Sequence, residues 1–168
     1  MNTCRIYFSA LLLFFVQLSF AQDCTLQKTT DDFSGMPKLS SGFIDLQGID
    51  LSIDATGKEI DYFFVIHNPA TNCIGTESEA ILVFEGGKSK ITMRNTGGDN
   101  CNGYFHCVMK GGQYTPAIVQ KLATKKVIAI TFSDRNDKKT TISLTQKQQD
   151  QLLKLSDCIA KEAKTLAK

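Results

Sequence analysis

The sequence predicts an α+β fold, with a mainly antiparallel sheet of about eight strands, a short helix, and a C-terminal helix packed on one sheet face. Three observations carry this reading. Runs rich in β-branched and aromatic residues, several with strict period-two alternation, recur through the middle of the chain. Glycine pairs and Asn/Asp clusters separate these runs at short intervals. Only two segments, both late in the chain, switch to helical spacing.

The chain opens on a segment with the order of a secretory leader. Arg5 supplies a positive start, residues 10–16 are unbroken apolar, and "SFA" at 19–21 resembles a small-x-small cleavage site. The expected cut precedes Gln22, giving a leader over 1–21 and a single α+β domain over 22–168. The apolar stretch is too short for a transmembrane anchor. A lipidated Cys24 would need small residues directly before it, where Gln22 and Asp23 stand.

After a polar lead-in, "GFIDLQGIDLSID" reads as a hairpin, because Ile49, Leu51 and Ile53 alternate with Asp50, Ser52 and Asp54. "ATGKE" turns the chain into "IDYFFVIH", a buried strand over 61–67. A polar loop carrying Cys73 leads to "AILVF" at 80–84, and the "EGGK" turn, with Gly86 and Gly87 free to take positive φ, leads into "SKITM". The dense stretch "NTGGDNCNGYFHC" then reads as a wide turn entering the strand "YFHCVM". Together, 61–109 is expected to form a central four-stranded antiparallel meander. Thr115 can cap a short helix with Pro116 in its first turn and Ile118, Val119 and Leu122 on its apolar face. "VIAITF" and "TTISL" return to strand across "SDRNDKK". The last helix starts at Thr145, with Gln148 completing a capping box, and shows a stripe of Leu152, Leu155, Ile159 and Leu166.

Composition narrows function chiefly by exclusion. Of 19 basic residues one, Arg5, falls in the leader, leaving 18 against 17 acids, so no overall field favours nucleic acid or anionic lipid. Five cysteines remain after processing, and in an exported chain their default partners are each other. Their spacing contains no C-x-x-C, against a thioredoxin-type motif or a zinc ribbon. In a meander the loops carrying Cys73 and Cys101 lie at one sheet end, which makes Cys73–Cys101 the expected bridge. Cys107 and Cys158 are expected to tie sheet to helix, leaving Cys24 unpaired.

No catalytic constellation stands out. The Asp-rich turns at 99–110 and 134–145 place Lys110 and Thr145 where a calcium loop needs a glutamate. Gly97, Gly98 and Gly103 run from strand to strand, not into the helix start a phosphate loop requires. His106 and Cys107 are adjacent on a strand and so point to opposite faces, which argues against a shared metal. Asp45, Asp50, Asp54 and Asp61 can supply a glycosidase-type carboxylate pair, and His67 or His106 can supply a Cys-His pair with a free cysteine.

"VFEGG" followed by "GGDNCNGYF" resembles the strand–turn–"GCN" segment of the META/HslJ domain, a small secreted β-rich module. The resemblance covers about twenty residues and lacks that family's later motifs, so it implies no residue role here. The expected function is that of a secreted or periplasmic, non-catalytic interaction module of inhibitor or immunity type, without a cofactor or metal and with a protein partner. The alternative is a small secreted hydrolase using a carboxylate pair or a Cys-His pair.

Overall fold

The computed structural model describes residues 24–67, 73–111 and 115–166. The segment 1–21, expected to be a leader, lies outside them. In chain order the elements are β1 (Gln27–Thr30), β2 (Pro37–Ser40), β3 (Ile44–Asp45), β4 (Ile49–Thr56), β5 (Glu59–Ile66), β6 (Glu79–Phe84), β7 (Lys90–Arg94) and β8 (Tyr104–Lys110). They continue with α1 (Ala117–Leu122), β9 (Val127–Ser133), β10 (Lys139–Ser143) and α2 (Gln146–Glu162), closed by a 3-10 turn at Ala163–Thr165. The fold is α+β with antiparallel strands, as the alternation implies, but the described residues contain ten strands, not about eight. The two additional strands are β1 and β2 in the polar lead-in. β1 is exposed at every position and so carries no apolar period to read.

The strands form two sheets. The larger runs β1-β2-β4-β5-β8, with β3 also paired to β4, and the smaller runs β10-β9-β6-β7. The central meander is therefore a misreading: β5 pairs with β4 and β8, while β6 pairs with β7 and β9. Period two shows which side chains face inward, and it is silent on which strand lies next door. Opposing Leu82 to Ile130 and Ala80 to Phe132 buries all four residues. The sheets meet where the chain leaves β7: Asn95 N–H donates to Ser78 O beside β6, and Thr96 N–H then donates to His106 O on β8.

Inner-face residues of both sheets share one core with α2. Phe64 and Phe105 of the larger sheet pack edge-to-face on Phe132 of the smaller, at 5.2 and 5.4 Å between ring centres. Helix α2 has its expected box: Thr145 accepts from Gln148 N–H, and the Gln148 side chain accepts from Thr145 N–H. It buries Leu152, Leu155 and Ile159, with Leu166 half-buried beyond its end, and Ser156 meets the hydroxyl of the buried Tyr62 at 3.1 Å. Helix α1 begins one step later than expected: Pro116 occupies the capping position, and Thr115 gives no side-chain cap. Val119 and Leu122 are buried there as expected, and Ile118 partly so.

Among the described residues two disulfides are present. Cys73–Cys101 forms, with Cα atoms 4.0 Å apart, for a reason other than the meander. Because β5 and β8 are antiparallel neighbours, the loop leaving β5 and the turn entering β8 share one sheet end, and Ile74 and Asn100 exchange backbone hydrogen bonds beside the bridge. The expected Cys107–Cys158 tie is not formed. Cys158 is bonded to Cys24, which pins the N-terminal segment to α2, and Cys107 is a buried free thiol. Cys107 sits beside Phe105 and opposite Tyr62 on the inner face of the larger sheet, whereas the helix flank bearing Cys158 meets the strand lead-in. Two bridges fit an oxidising compartment.

The stretch that opens β8 is a wide turn held by two asparagines. The buried Asn95 accepts from Gly97 N–H and His106 N–H and donates to Gly75 O and Gly97 O. Asn100 accepts from Asn102 and Tyr104 N–H and donates to Gly98 O and Tyr104 O. Gly103 closes the turn at φ +76°, where a Cβ would lie 2.3 Å from Ile66 O.

Candidate functional site

Alternation on β4, β5 and β8 sends one residue set into the core and the other to the outer face of the larger sheet. On an outer face exposed to water those positions are normally polar. Here they are mixed. Cross-strand register sets Ser52 against Phe63 and Phe63 against His106, Asp54 against Asp61 and Asp61 against Val108, and Val65 against Tyr104.

The aromatic members form a ladder. Phe63 is edge-on to Phe43 at 5.8 Å and to Tyr104 at 5.7 Å, and its face stacks on the His106 imidazole at 4.2 Å with an 8° interplanar angle. Phe43 is 60% and Tyr104 42% exposed, so the ladder presents large apolar surface to solvent. Val65, paired with Tyr104 on the same face, extends this apolar strip.

Along the same face runs a polar network. Asp54 accepts from Ser40 Oγ at 2.5 Å, Ser52 Oγ at 2.8 Å and Lys38 Nζ at 2.8 Å. The Asp54 hydrogen bond holds the Lys38 ammonium above its ordinary range, a hold that burial partly opposes. Asp61 Oδ2 meets His106 Nδ1 at 2.8 Å, while Asp61 Oδ1 is buried and has no hydrogen-bond partner among the described residues. These rows border an open cleft of about 680 Å³, within the size range of small-ligand sites. Its walls are the turn between β1 and β2 (Ser34, Met36), the turn between β4 and β5 (Gly57, Lys58) and Leu166. The first of these turns is braced by Asp31, whose Oδ2 accepts from Ser34 N–H and Oγ, and those bonds hold its carboxyl below the usual range. Phe33 at the tip is fully exposed.

The sequence-level candidates separate accordingly. Of the four aspartates, Asp54 and Asp61 converge on the cleft, Asp50 meets His67 Nε2 at 2.9 Å, and Asp45 accepts from Gln47 N–H within the hairpin turn between β3 and β4. A Cys-His pair does not form: Cys107 is the one free cysteine among the described residues, and burial pushes its thiol up to about 11. His106 on the opposite face is committed to Asp61, and His67 to Asp50. Among the described residues no group of three or more His, Cys, Asp or Glu side chains is placed to hold a metal ion. At Asp134, Oδ1 instead accepts from the N–H groups of Asn136 and Lys138, a local turn.

The ladder itself was missed by motif reading. Its signal was present in "IDYFFVIH" and "YFHCVM", where apolar residues occupy both strand faces although only one can point into the core. No helix of the described residues is long and apolar enough to cross a membrane. Comparison with family models, curated proteins and solved structures gives no match to the chain.

Proposed function

We propose that the chain is an exported, non-catalytic interaction module of inhibitor or immunity type, which binds a protein partner through the outer face of its larger sheet. The observation that carries this reading is the ladder of Phe43, Phe63 and Tyr104 on a sheet face, with Phe43 and Tyr104 exposed and Phe63 half-buried between them. Aromatic side chains at the centre of a polar-rimmed patch are the usual anchors of protein interfaces, and an exposed apolar strip otherwise costs solubility. Export is supported by the leader-like segment at 1–21 and by the two disulfides.

The experiment is affinity capture from the envelope fraction of the protein's own cells, with the mature wild type and the Phe43→Ala/Tyr104→Ala variant side by side. A partner retained by the wild type and lost by the variant supports the module. Equal retention by both overturns the assignment to this face.

The carboxylate-pair hydrolase is the second reading, favoured by the direct opposition of Asp54 and Asp61 beside a cleft. Against it, both Asp54 oxygens are already engaged, by Lys38 and by the Ser40 and Ser52 hydroxyls, and neither is left facing a substrate alone. Hydrolysis of a glycoside panel that disappears in Asp61→Asn would favour this second reading.

A further inference from the structure

The outer face differs in charge from the chain as a whole. The chain carries a formal net charge of +2, yet the cleft is lined by four carboxylates, Asp31, Asp54, Glu59 and Asp61, against two lysines, Lys38 and Lys58. Lys38 and Asp54 pair with each other at 2.8 Å, which leaves Asp31, Glu59 and Asp61 against Lys58, with Lys110 opposite Glu59 across β5 and β8. Farther along the face Asp45 opposes Asp50 across β3 and β4, and Asp50 also meets His67 Nε2 at 2.9 Å. The aromatic ladder is thus flanked by negative charge, and aromatic faces themselves attract cations. The third element is Asp61, with one oxygen bonded to His106 and the other without a donor. Oδ1 itself is buried, but Asp61 lines the cleft, and its carboxylate there favours a cationic N–H donor.

Resting on the interaction-module reading, we propose that the partner presents a basic segment to this face: a lysine or arginine enters the cleft towards Asp61, and its neighbours pack on Phe43 and Tyr104. Charge complementarity chooses this occupant. An acidic segment would be repelled by the cleft carboxylates, and a second copy of the chain would bring the same negative face to the contact. The lysine and arginine stems suit the mixed surface, since their methylenes lie against apolar rings while the charged head reaches the carboxylate.

The test is an NMR titration of the isotopically labelled mature protein with a short peptide alternating lysine and threonine, and with its counterpart carrying glutamate for lysine. The basic peptide should shift the amides of Asp61, Phe63, Tyr104 and His106, and the acidic one should leave them in place. Binding should weaken by at least about tenfold in Asp61→Asn, the effect of losing one desolvated charge partner. It should also weaken by at least about tenfold on going from low salt to about 0.5 M. Glu59→Gln, at an exposed strand end, provides a second charge variant should Asp61→Asn fold poorly, and it too should weaken binding. Equal binding of both peptides, shifts confined to other surfaces, or concentration-dependent self-association through the ladder would overturn the proposal. Capture of a cellular partner that needs Phe43 and Tyr104 but ignores Asp61, Glu59 and salt would overturn the basic-segment inference alone. Capture indifferent to the aromatic pair would remove the module reading beneath it.

Discussion

His106 and Asp61 are joined across β5 and β8 by a 2.8 Å contact from Nδ1 to Oδ2, and Phe63 stacks on the same imidazole at 4.2 Å. One side chain therefore braces both halves of the outer face, the carboxylate beside the cleft and the aromatic ladder. His106→Ala removes both contacts and leaves Asp61 without its partner. The expected cost is about 1–2 kcal/mol, a partly exposed charge-assisted bond plus one ring stack. Urea denaturation of the wild type, His106→Ala, Asp61→Asn and the double variant measures it, and the cycle should show coupling.

With five cysteines after processing and two bridges, the mature protein should hold one thiol, that of Cys107. It should be silent to a thiol reagent when native and titrate as one equivalent when unfolded. Burial raises this thiol to about 11 from an ordinary 9.0, with a smaller push from the Asp61 charge. The sign follows from linkage: between those values the unfolded chain loses its proton and the folded one keeps it, so stability is full below pH 9 and falls above it. The slope is about 1.4 kcal/mol per pH unit at most. Burial also raises the Tyr62 phenol, which adds its own loss above its ordinary 10.0, so the interval from 9 to 10 isolates the thiol. There, Cys107→Ala should flatten the pH dependence.

Truncation before Thr145 should leave the remainder unfolded or aggregated. It removes Leu152, Leu155 and Ile159 from the core, about 5 kcal/mol of burial. It also removes Cys158, the anchor of the N-terminal segment. The measurement is a thermal melt of the soluble fraction, and a cooperative transition in the truncated chain would contradict the packing described for α2.

Gly103→Ala should cost more than about 2 kcal/mol, from a left-handed φ and a clash with backbone that has no room to move. The added Cβ would lie 2.3 Å from Ile66 O, and Ile66 N–H donates to Gly103 O at 2.8 Å, so relief would break strand pairing. Denaturant melts of the variant check this, and a matched loss at Gly98→Ala is not expected because nothing lies within 4 Å there.

What the sequence made legible was local. Thr145 and Gln148 announced a helix start, and Gly86–Gly87 announced a hairpin, because each signal is carried by residues a few positions apart. The β1–β2 hairpin gave no signal, since β1 is exposed at every position, and with it went one wall of the cleft. Strand neighbours were misread because β6 prefers β9 through burial of Leu82 against Ile130, a pairing between segments more than forty residues apart. The Cys24–Cys158 bridge was missed for the same reason: its loop spans 134 residues, and only tertiary packing brings its ends to 5.5 Å. The ladder was half legible, as an excess of apolar residues on strands that can bury only one face.

The most direct test of the outer face as the working surface is hydroxyl-radical footprinting of the mature protein, alone and in envelope extract of its own cells. Oxidation of Phe43, Phe63 and Tyr104 should slow in the extract, with Phe33 at the hairpin tip unchanged. Unchanged rates at all three ladder residues, or slowing confined to Phe33, would contradict it.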